Sequence, residues 1–197
     1  MGRIRRFGSR SELQCLQQLV GVPPAGAQVL RLLGWAQSDQ NGRMSDSPVT
    51  TDSAVSLRPI SEENVVAIIK LDVAENQKDL VAPNSVSIAQ AAHTANRWER
   101  AIYADNEPVG YVLLSENRTK PRYYLWRYMI DHRYQGMGFG RRAMEMVIDY
   151  VRTLPDATEM YLTYVPVQHG PREFYAGLGF VDTGVEHDGE LEMRLEL

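Results

Sequence analysis

Hydrophobic and polar positions follow two regular patterns from residue 55 to the end of the chain. In the last segment every second residue from Leu191 to Leu197 is apolar and the residues between them are charged, which predicts a strand with one buried face. Between residues 140 and 153 apolar residues instead recur every three to four positions, which predicts an amphipathic helix. The two periods together indicate a domain that contains both strands and helices.

The same patterns predict the other elements. Strands are predicted over residues 55–60, 100–104, 109–115, 123–131, 159–165, 180–183 and 190–197. One helix is predicted to start at a capping serine, Ser61, and to continue with apolar residues at helical spacing up to Val73. Further helices are predicted over residues 87–95, 140–153 and 172–178. Pro59 indicates that the first strand lies at a sheet edge. This order predicts one α/β (α+β) domain with a mixed, mostly antiparallel sheet and helices on both faces.

The first 54 residues lack these patterns. Their apolar stretch is interrupted by Pro23, Pro24 and Gly26, which argues against a secretory leader, whereas a transit peptide and a true start at Met44 remain alternatives. We therefore expect a poorly ordered extension over residues 1–54, of which residues 1–43 are dispensable, and a domain over residues 55–197.

Composition narrows the function classes. The chain has 197 residues with 44% hydrophobic and 23% charged, and its single cysteine, Cys15, excludes an intrachain disulfide framework. The four histidines lie far apart and predict no metal site. No apolar run is long enough to span a membrane, and a net charge of −4 argues against nonspecific nucleic-acid binding. We therefore expect a cytoplasmic protein.

The charge is unevenly distributed. The first 43 residues carry six arginines against two acids, so the rest of the chain has a net charge of −8 within a total of −4. An acidic body favours a cationic small substrate through long-range attraction. Solubility alone is the alternative explanation for the same charge.

Three glycines at alternate positions join the strand 123–131 to the helix 140–153: Gly136, Gly138 and Gly140. Glycine permits positive φ and lets a ligand approach the backbone closely. The free N–H groups of the helix start then point toward an anion, for which a pyrophosphate is the natural candidate. Arg141 or Arg142 would pair with a further phosphate.

Other interpretations of this loop are weaker. A P-loop is excluded because no Lys-Ser/Thr pair follows Gly140. A dinucleotide fingerprint fits poorly, because the third glycine comes one residue early. A glycine-rich turn with no ligand remains the structural alternative.

The residues around the loop resemble the GNAT superfamily of N-acetyltransferases. Gln135-x-x-Gly138-x-Gly140 is similar to the acetyl-CoA motif Q/R-x-x-G-x-G/A of that family. The stretches 126–131 and Phe174-Tyr175-x-x-x-Gly179-Phe180 resemble the bacterial spermine/spermidine (diamine) acetyltransferases. The resemblance covers residues 55–197, and it implies a GNAT-like domain whose central strands splay apart.

The resemblance also implies how acetyl-CoA, as co-substrate, would lie. The backbone of Tyr128, Met129 and Ile130 would pair with the pantetheine amides as an added strand. The residues that would hold the pyrophosphate are Gln135, Gly136, Met137, Gly138, Phe139, Gly140 and Arg141. Strict alternation along this strand would place Tyr124, Trp126, Tyr128 and Ile130 on one face and Tyr123, Leu125, Arg127 and Met129 on the other.

Tyr175 is the candidate catalytic residue. In the family, the tyrosine of this motif protonates the departing thiolate, and a phenol with a pKa of about 10 remains protonated at neutral pH. Gln168 stands where many members have an asparagine that contacts CoA. Tyr123 or Tyr124 stands where histone-directed members have a glutamate base, so a base here is either a distant carboxylate acting through water or is not needed.

The expected function is transfer of an acetyl group to a primary amine of a small molecule, with a polyamine such as spermine or spermidine as the first candidate. The acids that could hold a polycation are Glu75, Asp79, Glu99, Glu116 and Asp131. The aromatics that could add cation–π contacts are Trp98, Tyr103 and Trp126. Another small amine, a protein amino terminus and a non-catalytic acetyl-CoA-binding module are the alternatives, and the sequence leaves a homodimer open.

Overall fold

The protein is described by a computed structural model over residues 48–117, 122–168 and 170–197. Residues 48–197 form a compact unit by themselves. The predicted extension falls largely outside the described residues, as do Cys15 and Met44. The boundary between residues 54 and 55 and the dispensability of residues 1–43 therefore stay predictions.

Seven strands form one sheet within the described residues, in the order β1-β2-β3-β4-β5-β7-β6. They are β1 (Val55–Arg58), β2 (Arg97–Ala104), β3 (Glu107–Asn117), β4 (Arg122–Ile130), β5 (Glu159–Tyr164), β6 (Val181–His187) and β7 (Glu190–Glu196). All neighbouring pairs are antiparallel except β4 and β5, which run parallel. The prediction of a mixed, mostly antiparallel sheet with the first strand at its edge is confirmed.

Helices cover both faces of this sheet, as predicted. They are α1 (Val65–Ile69), α2 (Asn84–Ala92), α3 (Phe139–Arg152) and α4 (Arg172–Ala176), with short 3₁₀ helices at Glu75–Gln77 and His132–Tyr134. The apolar stripe of α3 packs on one face in a core that reaches from β2 to β7. On the other face α1 and α2 pack against a smaller core to which β2, β3 and β4 contribute.

Two helix starts differ from the prediction. Ser61 does not cap α1, because the Ser61 N–H donates to Asn64 Oδ1 at 2.9 Å in a turn and the helix begins after Asn64. The second helix begins at Asn84, directly after Pro83, rather than at residue 87. There the buried Asn84 side chain donates to the Ile68 carbonyl at 2.9 Å and so links α2 to α1.

A β-bulge interrupts β4 in its middle. Leu113 of β3 pairs with Arg127, whereas the next residue, Leu114, pairs with Leu125. Trp126 is therefore an extra residue on β4, and such an insertion reverses the alternation of side chains beyond it.

The predicted faces of β4 are wrong because of this bulge. Residues from both predicted faces lie against the α3 core, namely Tyr123, Leu125, Tyr128 and Ile130. Trp126 and Met129, which were predicted to face opposite ways, both pack against the α1–α2 core.

The parallel pairing of β4 and β5 is short. It joins residues 123–125 of β4 to residues 160–162 of β5. Beyond Leu125 the two strands separate and leave a gap between them, while β4 continues to pair with β3 as far as Ile130. The prediction of splayed central strands is confirmed.

Candidate active site

The gap between β4 and β5 exposes an unpaired strand edge. At the end of β4 the Asp131 N–H donates to the Val109 carbonyl at 2.8 Å, on the β3 side. Successive residues of a strand direct their backbone groups to opposite sides, so Met129 also faces β3, whereas Tyr128 and Ile130 face the gap. An extended ligand that contains amides can add to such an edge as a further strand.

The glycine loop follows this strand and carries two residues in the left-handed region. Gly136 has φ of 77° and Gly138, the residue that caps α3, has φ of 80°. A Cβ atom built on either residue would meet no heavy atom within 4 Å. These glycines are therefore required by the backbone conformation rather than by packing, and open space lies above them. The free N–H groups at the start of the 14-residue helix α3 make this space suitable for an anion.

Gln135 ties the loop to the end of the exposed edge. Its Nε2 atom donates to the Ile130 carbonyl at 2.9 Å and to Gln77 Oε1 at 2.8 Å. The Ile130 carbonyl is one of the groups that face the gap, so the Gln135 side chain closes the far end of the edge. Its predicted contact with a cofactor stays a prediction.

The two arginines after the loop have different surroundings. Arg142 donates to the carbonyls of Ser53 at 2.9 Å and Thr51 at 2.8 Å, which joins α3 to the segment before β1. Arg141 is exposed and donates to the Gly177 carbonyl at 2.9 Å, just after α4. Of the two, Arg141 is the cation left available near the loop.

The other predicted cofactor contacts are distributed around the same region. Met137 is half-buried against the α3 core, and Phe139 is fully buried, so at residue 139 the backbone alone is open to a ligand. The Gly140 carbonyl accepts from the Tyr128 hydroxyl at 2.6 Å. Gln168 lies exposed in the turn between β5 and α4. Each of these cofactor assignments stays a prediction.

Tyr175 lies on α4 and is buried at the edge of the gap. Tyr175 is 8% exposed. Its ring packs edge-to-face on the rings of Phe174 and Phe180, with ring centroids 5.2 Å and 5.9 Å away. Its hydroxyl makes no hydrogen bond to any residue that the structure describes. Burial raises the pKa of Tyr175 above its usual range, and the nearby phenol of Tyr124 raises it further. Tyr175 therefore holds its proton at physiological pH.

Three tyrosines border the gap. Burial raises the pKa of Tyr128 well above its usual range, and the neighbouring Tyr175 adds to the effect. Tyr124 points away from α3, because Tyr123 and Leu125 on either side of it point toward α3. Tyr124 therefore lies on the opposite face of the sheet from Tyr175, which belongs to the α3 core.

An acidic cavity opens on the face away from α3, where β4 and β5 begin to separate. Its volume is about 510 Å³, and it is lined by Ser115, Tyr124, Thr163, His187, Asp188, Glu190 and Glu192. Three carboxylates outnumber the single histidine, so the cavity favours a cation. We refer to it below as the acidic cavity.

Hydrogen bonds organise the walls of the acidic cavity. The Tyr124 hydroxyl lies 2.7 Å from Thr163 Oγ1, and the Thr163 hydroxyl donates to the carboxylate of Glu190. Glu192 is 5% exposed and accepts from the Thr183 hydroxyl at 3.2 Å. His187 Nε2 lies 3.4 Å from the other oxygen of Glu192.

The acids proposed from the sequence lie elsewhere. Glu75 pairs with Lys78 at 2.7 Å on the surface, and Asp79 is exposed in the loop that follows. Three others accept hydrogen bonds inside the domain, namely Glu99 from Tyr111, Glu116 from Tyr150 and Asp131 from Arg133. None of the five lines the acidic cavity.

The aromatics proposed for cation–π contacts are engaged within the protein. The ring of Trp98 stacks on that of Tyr150, with the ring centroids 4.4 Å apart. The guanidinium groups of Arg58 and Arg127 lie over Tyr103 at 4.1 Å and over Trp126 at 5.4 Å.

The cavity acids Asp188, Glu190 and Glu192 were not among the residues predicted from the sequence. The available signal was their clustering at the last hairpin turn. All three lie within residues 188–192, which begin with the turn residues Asp188 and Gly189, both at positive φ. That signal does not show which residues face them, because the turn meets β4 only through the pairing of β5 with β7.

Across residues 48–117, 122–168 and 170–197, no three histidine, cysteine or acidic side chains are grouped so that they could hold a metal ion. Over the same ranges no helix has the length and apolar character to cross a membrane.

Comparison with known proteins adds to this geometry. The profile of the Acetyltransferase (GNAT) family matches residues 78–180. The chain is 24% identical over 151 residues to a spermine/spermidine N(1)-acetyltransferase of Bacillus subtilis (strain 168), covering 73% of this chain and 99% of that protein.

Solved structures share the fold at low sequence identity. A domain from Methanocaldococcus jannaschii DSM 2661 has a TM-score of 0.62 and 15% identity, over 74% of this chain and 100% of that one. An N-acetyltransferase of Thermoplasma acidophilum in complex with coenzyme A has a TM-score of 0.56 and 13% identity, over 73% and 99% of the two chains.

Proposed function

The chain belongs to the GNAT family of acetyltransferases, and from this premise we propose that it is an acetyl-CoA-dependent N-acetyltransferase acting on a small polyamine such as spermine or spermidine. One observation carries the proposal. The gap between β4 and β5 has the glycine loop and Tyr175 on the α3 side and the acidic cavity on the other side. A donor and a cationic acceptor can therefore meet there from opposite faces.

The residues present fit acetyl-CoA, which supplies the acetyl group as a thioester. The loop offers free N–H groups and open space above Gly136 and Gly138, which suits a pyrophosphate. The gap-facing backbone of Tyr128 and the Ile130 N–H match the alternating amides of a pantetheine arm. Arg141 is the nearby cation for a further phosphate.

Tyr175 acts as the general acid in this proposal. The neutral amine nitrogen forms a bond to the acetyl carbon and loses one of its two protons to water, the carbon–sulfur bond breaks, and the sulfur leaves as a thiolate. Tyr175 is protonated at neutral pH, as is any phenol with a pKa of about 10 or higher, so its hydroxyl can give a proton to the thiolate and later regain one from solvent.

The acidic cavity is the proposed acceptor site. Its carboxylates favour a substrate with several positive charges, and its volume of about 510 Å³ suits a short flexible chain. The similarity to the Bacillus subtilis spermine/spermidine N(1)-acetyltransferase supports the same substrate class.

Release of free CoA thiol across a panel of amines tests the activity, and Tyr175→Phe tests the assignment of the acid. We expect this variant to lose about 10²- to 10⁴-fold in kcat while its Kd for acetyl-CoA changes less than twofold. Tyr123→Phe is the matched control, because Tyr123 is also buried in the α3 core but its hydroxyl donates to the Pro155 carbonyl. Acetyl-CoA binding without transfer to any amine would instead identify a non-catalytic binding module.

The acceptor class has its own test. We expect kcat/KM to fall in the order spermine, spermidine, putrescine, butylamine, and the differences to shrink at high salt because screening shortens the reach of the cavity charges. Asp188→Asn should lower kcat/KM for spermine more than for butylamine. Asp156→Asn is its control, since Asp156 is also an exposed aspartate at positive φ but lies outside the cavity. Equal values for all four amines at both salt concentrations would contradict the polyamine assignment.

A further inference from the structure

Resting on the proposed function, we propose that Tyr124, Thr163 and Glu190 form a proton relay that carries a proton from the incoming ammonium group to solvent. The relay deepens the assignment of the acidic cavity. It supplies the base function at the place where the sequence offers a tyrosine instead of a glutamate.

The direction of the relay follows from the donors. A threonine hydroxyl has one proton, and Thr163 gives it to the carboxylate of Glu190. Thr163 Oγ1 must then accept from the Tyr124 hydroxyl, which lies 2.7 Å away. The chain therefore runs one way, from Tyr124 through Thr163 to Glu190.

The two ends of the chain lie in different surroundings. Tyr124 lies one residue before Leu125, the last residue of β4 that pairs with β5, so this end of the chain lies where the gap opens. Glu190 is exposed to solvent at the start of β7. The chain thus connects the reacting end of the gap to water.

Three titratable side chains outside the relay line the acidic cavity with Glu190. His187 and Asp188 lie in the same hairpin, and Glu192 lies two residues further along β7. Glu192 accepts from Thr183 and neighbours His187. Glu190 is the cavity carboxylate that accepts from Thr163 and so is connected to the gap.

The chemistry needs such a path, because a primary amine with a pKa of about 10 is neutral in only on the order of one molecule in a thousand at pH 7. The nitrogen–hydrogen bond of the ammonium group breaks and its proton passes to the Tyr124 oxygen. The Tyr124 proton passes to Thr163, and the Thr163 proton passes to Glu190. One proton is transferred in total, the nitrogen keeps its electron pair, and Glu190 releases the proton to water.

Two substrates of matched shape test the relay in Thr163→Val, which removes the hydroxyl but keeps the branched side chain. They are 1,3-diaminopropane and its 2,2-difluoro analogue, whose amines are far less basic and arrive largely neutral. At pH 7 we expect kcat to fall about 10²-fold for the first and less than threefold for the second. For the first substrate the loss should shrink as pH rises toward 9, because more of the amine arrives neutral.

Three controls separate the relay from a structural role. Thr94→Val removes a hydroxyl that donates to the Gln90 carbonyl at 2.8 Å, away from the acidic cavity, and we expect both substrates to react as in the wild type. Amine affinity measured by calorimetry without acetyl-CoA should change less than twofold in Thr163→Val. Glu190→Gln, at an exposed position that does not endanger folding, still accepts from Thr163 but cannot take a proton, so it should reproduce the substrate-dependent loss.

The relay is overturned if both variants slow the two substrates equally, or if neither slows diaminopropane. A wild-type protein that acetylates no amine would instead refute the proposed function itself.

Discussion

Replacement of Gly138 by alanine separates the backbone requirement of the loop from its role toward a ligand. Gly138 caps α3 with φ of 80°, and its new Cβ would meet no protein atom within 4 Å. The variant is therefore strained by its conformation but not by a clash.

The magnitudes follow from these two facts. An L-residue in the left-handed region costs about 1–2 kcal/mol. For a domain of this size, we expect Tm to fall by about 2–8 °C. If the methyl group displaces a pyrophosphate from one loop N–H, the lost charge-assisted hydrogen bond costs about 1.5–3 kcal/mol. The Kd for acetyl-CoA should then rise by roughly tenfold to a hundredfold.

Gly184→Ala provides the control, because Gly184 also has φ of 80° and open space around a Cβ atom, but lies on β6. Calorimetry with acetyl-CoA and thermal melts should show similar losses of Tm in both variants and weaker binding in Gly138→Ala alone. Unchanged acetyl-CoA affinity in folded Gly138→Ala would refute the assignment of the loop to the pyrophosphate.

Two other predictions concern charged side chains. Burial by itself would raise the pKa of Asp131, but hydrogen bonds from Arg133 and from the Asp72 N–H hold it below its usual range. Its stabilisation is thus present above pH 4 or so and is lost as pH falls further. In urea unfolding, Asp131→Asn should cost about 1–3 kcal/mol at pH 7, and this deficit should narrow toward pH 3. Arg142→Met should lower Tm and leave acetyl-CoA affinity unchanged, because Arg142 donates to the carbonyls of Thr51 and Ser53. Arg141→Met should instead weaken acetyl-CoA binding. The reverse outcome in calorimetry would contradict the assignment of Arg141 to a phosphate.

The spacing of apolar residues along the chain predicted the long helix and the central strand correctly. The helix predicted over residues 140–153 is α3, Phe139–Arg152, because its apolar stripe is long and regular. The strand predicted over residues 123–131 is β4, Arg122–Ile130. The bulge at Trp126 could not be predicted, since it is defined by how Leu113 and Leu114 pair with β4.

The surroundings of the acidic residues were less predictable for the same reason. Glu116 is an acid within a β-prone segment, and the sequence does not show that it is buried and accepts from Tyr150, 34 residues away. Likewise, Glu190 and Thr163 are 27 residues apart and meet because β5 pairs with β7. The glycine loop could be recognised because its residues are contiguous in the chain.

The short pairing between β4 and β5 is the weakest connection between neighbouring parts of the sheet. Strands β1–β4 form one half and β5–β7 the other, with three residue pairs along the seam and a shared core under α3. A ligand that bonds to the gap-facing backbone of Tyr128 and Ile130 would lengthen this seam. We expect such a ligand to slow amide hydrogen exchange in β5 and β7 as well as in β4, so that the two halves open together when it is bound and separately when it is not.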